Sequence, residues 1–184
     1  MNADSISSNS STLIYARLMQ CAPDASLLVL AMGGCLARAW AQKGLAALPV
    51  IGLSAASTRR ALAHCFPCAE RVFALDWAQL ARQAAGFPDD DEIEDIVTLL
   101  REHAAADDDE HCWVAHLVAT GCSGERHLWE DMGLPSRREL SALLERYFPA
   151  LAARNTADMK WKKFFYKQLC DRAELPICRS PSCA

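Results

Sequence analysis

Phe87-Pro88-Asp89-Asp90-Asp91-Glu92-Ile93-Glu94-Asp95-Ile96-Val97-Thr98-Leu99-Leu100 is the stretch that decides the fold class. It reads as a helix start. The acids stand where the positive end of a helix dipole favours negative charge. Ile93, Ile96, Val97 and Leu100 then recur at i, i+3, i+4 and i+7, which places them on one apolar stripe. Asp107-Asp108-Asp109-Glu110 opens a second helix the same way, through Trp113, His116, Leu117 and Thr120. Both acid runs read as caps and solvated faces.

The same grammar extends outward in both directions. Ser136-Arg137-Arg138-Glu139 has the S-x-x-E form of a capping box. Leu140, Leu143, Leu144, Tyr147 and Phe148 follow as an apolar face that Pro149 ends. Toward the N-terminus, residues 13–42 suit two helices broken near Ala22-Pro23-Asp24, and a turn at Pro49 and Gly52 precedes a helix to about Cys65. Residues 52–67 loosely echo residues 133–149, since both begin Gly-Leu and end Phe-Pro, with an offset of one residue; the echo fits a repeat or ordinary helix grammar and carries no function. The last helix is expected over 158–172, with Trp161, Phe164, Phe165 and Leu169 as its buried stripe. No stretch shows strand alternation. The expectation is an all-α bundle of roughly seven to nine helices. Residues 1–10, rich in Ser and Asn, are expected to be disordered, 11–172 to form one helical domain, and 173–184 to be a cysteine-containing tail.

The chain has 184 residues, a net charge of −4, 52% hydrophobic residues and 23% charged ones. That is enough to build a core, and the acidic balance argues against a general nucleic-acid binder. The polar start lacks the cationic and apolar segments of an export signal, and the apolar run 27–37 is too short to span a bilayer. A cytoplasmic protein with no membrane partner is expected. No Walker loop, G-x-S-x-G, H-E-x-x-H or dinucleotide fingerprint occurs, so no motif supports turnover catalysis.

Nine cysteines need an explanation. Thiols stay reduced in the cytoplasm, so they are expected as buried apolar residues or as ligands. Cys21, Cys35 and Cys112 lie in apolar helical contexts and read as core. Cys178 and Cys183 stand in C-x4-C spacing on a Pro/Ser tail, where core packing is a poor account and soft-metal ligation a better one. Cys170, on the last helix, is a candidate third ligand or a helix-end packing residue. Cys122 and His127 flank a helix break containing Gly124, where a thiol and an imidazole could share one metal or simply end a helix. Cys65 and Cys68 form a C-x-x-C with no βαβ pattern around it, which argues against a thioredoxin-like redox pair. Lys160, Lys163 and Lys167 share a helix face. That face is either a solvated one or a patch for an oxyanion such as molybdate, or for an acidic partner.

His127-Leu128-Trp129-Glu130-Asp131-Met132-Gly133-Leu134, Phe148-Pro149-Ala150-Leu151-Ala152 and Asp158-Met159-Lys160-Trp161-Lys162-Lys163-Phe164-Phe165-Tyr166 together resemble the nitrogen-fixation family NifQ. The resemblance is strong over residues 112–184. It implies a molybdenum-handling protein that carries an iron–sulfur cluster and supplies molybdenum for the iron–molybdenum cofactor of nitrogenase. A molybdate or other molybdenum source and the nitrogenase cofactor assembly proteins would be its partners. By position, Cys178 and Cys183 match the first two cysteines of the family's C-x4-C-x2-C-x7-C motif. Cys122 and His127 fall in its C-x4-H stretch as candidate molybdenum contacts, with Cys170 as a further cluster candidate. The sequence ends at Ala184, before the last two cysteines of that motif, so a truncated motif is expected, with Cys170 or Cys122 available to complete a cluster site. Two other readings of the thiols stand beside this one: a zinc-stabilised helical interaction module, and a thiol–disulfide protein using Cys65 and Cys68.

Overall fold

A computed structural model describes residues 3–45, 48–84 and 91–173. Among the described residues every regular element is a helix, and there are eleven. The expected all-α class holds. The count exceeds expectation because α4 (Ala69–Val72), α8 (Leu128–Asp131) and α10 (Pro149–Ala152) are single turns. Four residues are too short to display a 3.6-residue period, so composition gives no sign of them.

The chain divides into two compact units, Met1–Asp89 and Asp90–Ala184. In the first, α1 (Ala3–Met19) packs along α2 (Leu27–Lys43), and α3 (Ala55–Cys65), α4 and α5 (Trp77–Ala84) follow. The Ser/Asn-rich start, expected to be disordered, is helical from Ala3 onward. Polar composition alone missed a segment that continues without a break into the apolar anchor Leu18, which is fully buried. The core of this unit is the α2 face of Leu28, Met32, Leu36 and Trp40. Gly33 lets neighbouring rings close in, since a Cβ there would stand 3.2 Å from Tyr15 and 3.3 Å from Phe66.

In this unit the structure corrects two cysteine readings. Cys21, just past α1, is bonded to Cys68, just before α4, with a Cα–Cα separation of 5.3 Å. Cys21 is therefore a cross-link and not merely a core thiol. Cys65, which completes the C-x-x-C, has its side chain wholly buried at the end of α3. Cys65 and Cys68 are thus not paired with each other: helix packing takes the first inward, and the second bonds 47 residues back.

The second unit runs α6 (Asp91–Arg101), α7 (Asp109–Cys122), α8, α9 (Arg137–Tyr147), α10 and α11 (Trp161–Arg172). Asp108 caps α7 by accepting from His111 N at 3.0 Å, and Ser136 caps α9 by accepting from Arg138 N at 3.1 Å. Leu140, Leu143, Leu144 and Tyr147 of α9 are buried, as their spacing requires. α11 begins at Trp161 rather than Asp158. Asn155 ties the preceding loop by accepting from Met159 N and donating to Met159 O, and Asp158 takes a positive φ of 48°. Arg137 closes the same loop on Asp158 Oδ1 at 2.6 Å and Met159 O at 2.9 Å. The tail 174–184, including Cys178 and Cys183, lies outside the described residues.

Candidate functional site

The α7–α8 turn carries the sequence motif C-S-G-E-R-H. α7 ends at Cys122, and Gly121 in its last turn lets α8 press against it. A Cβ at Gly121 would lie 2.7 Å from Leu128 and 2.8 Å from Met132. The turn then folds around a carboxylate. A Cβ at Gly124 would fall 2.4 Å from the Asp131 carboxyl, so only glycine fits that approach. Asp131 Oδ2 accepts from the Arg126 backbone N at 3.0 Å, and the Arg126 side chain stands 3.6 Å from Oδ1.

Lys162, from α11, completes this arrangement. Its Nζ donates to Asp131 Oδ2 at 2.7 Å and to the Gly124 carbonyl at 2.6 Å. Both partners are nearly inaccessible, at 5% and 4% side-chain exposure. A buried pair of this kind survives only when further hydrogen bonds satisfy its remaining valences, and the turn supplies them. The first turn of α11 contains no acid. Asp131 therefore provides the negative charge that the positive end of that helix lacks.

The two candidate metal contacts face different environments. Cys122 is buried, and burial pushes its thiol up to about 12; the Lys162 ammonium opposes this, while Glu92 and Asp131 reinforce it. It is a protonated thiol at neutral pH and presents no thiolate without rearrangement. His127 is exposed at the N-terminus of α8, its ring parallel to Trp129 with centroids 6.5 Å apart. Its backbone N donates to Glu130 Oε2 at 3.1 Å. An accessible imidazole at the edge of a fixed turn can act as a terminal ligand to a metal arriving from solution.

The other candidates are dispersed. Cys170 is half-buried and disulfide-bonded. Cys112, read as core, is only half-buried on α7. Lys160 and Lys163 are exposed, and Lys167 is paired with Asp171 at 2.6 Å. Among the described residues, no group of three or more His, Cys, Asp or Glu side chains is placed to hold a metal ion. No helix there is long and apolar enough to cross a membrane. Sequence reasoning missed Asp131 and Lys162. The signal that could have found Lys162 is its register, since it falls off the face shared by Lys160, Lys163 and Lys167 and sits among aromatic residues.

Comparison with known proteins agrees with the motifs. The NifQ family model matches residues 31–184, well beyond the segment 112–184 that carries the resemblance. Protein NifQ of Azotobacter vinelandii is 41% identical over 147 residues, covering 76% of this chain and 75% of that protein. Protein NifQ of Rhodobacter capsulatus is 46% identical over 104 residues, 56% of each chain. Protein NifQ of Klebsiella pneumoniae is 47% identical over 72 residues, 38% of this chain and 42% of its own. No solved structure matches. With a family match over most of its length and a relative aligned over three quarters of both chains, the chain belongs to the NifQ family of nitrogen-fixation proteins.

Proposed function

We propose that this protein is a molybdenum carrier that supplies the metal to nitrogenase cofactor assembly proteins, and that it is not a turnover enzyme. Molybdenum is its cargo. The observation that carries the reading is the C-x4-H turn of a NifQ-family chain: the turn is held rigidly, and it presents the exposed His127 imidazole. The exposed Lys160, at the N-cap of α11, and Lys163, within it, would attract molybdate as an anion.

The described residues do not by themselves fit an iron–sulfur cluster. Cys122 is a buried, protonated thiol and Cys170 is disulfide-bonded, while cluster iron requires thiolates. Cys178 and Cys183, in their C-x4-C spacing, are the cysteines that would serve a cluster as thiolates.

Metal analysis of anaerobically purified protein, incubated with molybdate and desalted, tests the proposal. Molybdenum should be retained, and His127→Ala should lower it while sparing iron. Cys178→Ser or Cys183→Ser should remove most bound iron. A wild-type protein that retains no molybdenum above a buffer control sinks the carrier reading. Stoichiometric zinc in its place would favour a zinc-stabilised interaction module.

A further inference from the structure

We propose that the buried Asp131–Lys162 pair is a clamp that fixes the 123–127 turn onto α11, and so sets where His127 meets incoming molybdate. The inference rests on the carrier reading. Three features of the pair support it. It is almost fully buried, and each of its side chains bonds backbone of the turn. Lys162 Nζ accounts for the Gly124 carbonyl, and Asp131 Oδ2 for the Arg126 amide, so residues on either side of Glu125 are held by one ion pair. Gly124 leaves no room for a side chain between them.

The pair also spans two elements that sequence places far apart. Asp131 ends α8, whose first residue follows His127, while Lys162 lies in the first turn of α11, 31 residues on. α11 also bears the exposed Lys163. A clamp between these elements fixes the imidazole and this cation in one arrangement, as partners behind a metal ligand commonly do. Asp131 and Lys162 are positioning residues: neither is accessible to the cargo.

The test uses the full chain, with molybdate as the probe, and compares wild type, His127→Ala, Lys162→Met, Lys162→Arg and Asp131→Asn/Lys162→Met. The double variant leaves no buried charge unpaired, so it remains informative if Lys162→Met fails to fold. Two quantities are read: molybdenum retained per chain, and hydrogen exchange at the Arg126 amide. Lys162→Met and the double variant should speed Arg126 exchange and lower molybdate affinity about tenfold, the usual cost of losing a partner behind a metal ligand. Lys162→Arg should recover much of both. Variants that fold, exchange faster at Arg126 and still bind molybdate like wild type would overturn the positioning role. So would a folded double variant with unchanged Arg126 exchange. If wild type itself binds none while Arg126 exchange responds as expected, the carrier reading has failed and takes the positioning role with it.

Discussion

A single thiol shows how burial decides chemistry at the residue scale. Burial pushes the Cys122 thiol up to about 12 in the folded chain, from an ordinary value of 9.0. The folded-state value is the raised one, so the stability it contributes is fully present below pH 9 and is lost as pH rises toward 12. We expect stability to fall in that window by about 1.4 kcal/mol per pH unit from this group, since the unfolded chain alone gives up the proton. Urea unfolding at pH 8 and pH 10, for wild type and Cys122→Ala, measures it; an equal pH slope in the two proteins would count against the burial argument. Gly124 gives a second residue-scale test. Gly124→Ala forces a Cβ into the Asp131 carboxyl and should cost about 1–3 kcal/mol, as overpacking does, with a matching drop in the urea midpoint. Sequence reading identified Cys122 and His127 as a pair but could not see that one is buried and the other exposed. That difference comes from Leu128, Met132 and Lys162 closing over the turn, contacts between residues up to 38 positions apart. Motif spacing carries no burial information.

Helices were the most legible elements, because caps and periods are local. Asp108 and Ser136 act as N-caps where their sequence context places them, and α6 buries Ile93, Ile96, Val97 and Leu100 as the spacing of the opening stretch requires. α11 was legible in Trp161, Phe164 and Phe165 of its stripe, with Leu169 only half-buried, but not in its start, because a loop held by Asn155 and Arg137 displaces the N-terminus from Asp158 to Trp161. In α11 and at its N-cap the lysines divide by role. Lys162 is structural, while Lys160 and Lys163 are exposed, and the exposed Lys167–Asp171 pair contributes little to stability. Replacing Lys160, Lys163 and Lys167 with Gln should therefore leave stability within about 0.5 kcal/mol of wild type, as surface changes usually do. Molybdate loading should fall, and the deficit should be larger at low salt, where screening is weaker. Unchanged loading at every ionic strength would assign this face to solvation alone.

At the scale of the whole molecule, the Gly-Leu…Phe-Pro echo proves to be shared structure. Gly52 and Gly133 both adopt positive φ, 74° and 68°, and a serine then caps an eleven-residue helix in each unit. Phe66 and Phe148 end those helices, wholly buried, with φ near −143° and −133°, and α4 or α10 follows within a few residues. In each unit a helix pair, α1 with α2 or α6 with α7, precedes this segment. The second unit ties its elements through Tyr147 to Glu110 at 2.9 Å and Lys162 to Asp131, and the first ties α1 to α4 through Arg17, which donates to the Val72 carbonyl at 2.9 Å, and through the Cys21–Cys68 cross-link. Nothing local in the sequence announces that cross-link, since its halves lie 47 residues apart and Cys68 stands closer to Cys65. A bond closing a loop of that length removes chain entropy from the unfolded state worth about 4 kcal/mol in the loop-closure treatment. Cutting it should loosen the segments it joins before the α2 face of Leu28, Met32 and Leu36 gives way, because that face is buried in the core. Hydrogen exchange before and after reduction by a dithiol, and in Cys21→Ser/Cys68→Ser, should therefore show faster exchange at the end of α1 and in α4, with a smaller change in the middle of α2. Equal protection of α1 and α4 in the reduced and oxidised protein would mean that packing and the Arg17–Val72 hydrogen bond fasten these helices without the cross-link.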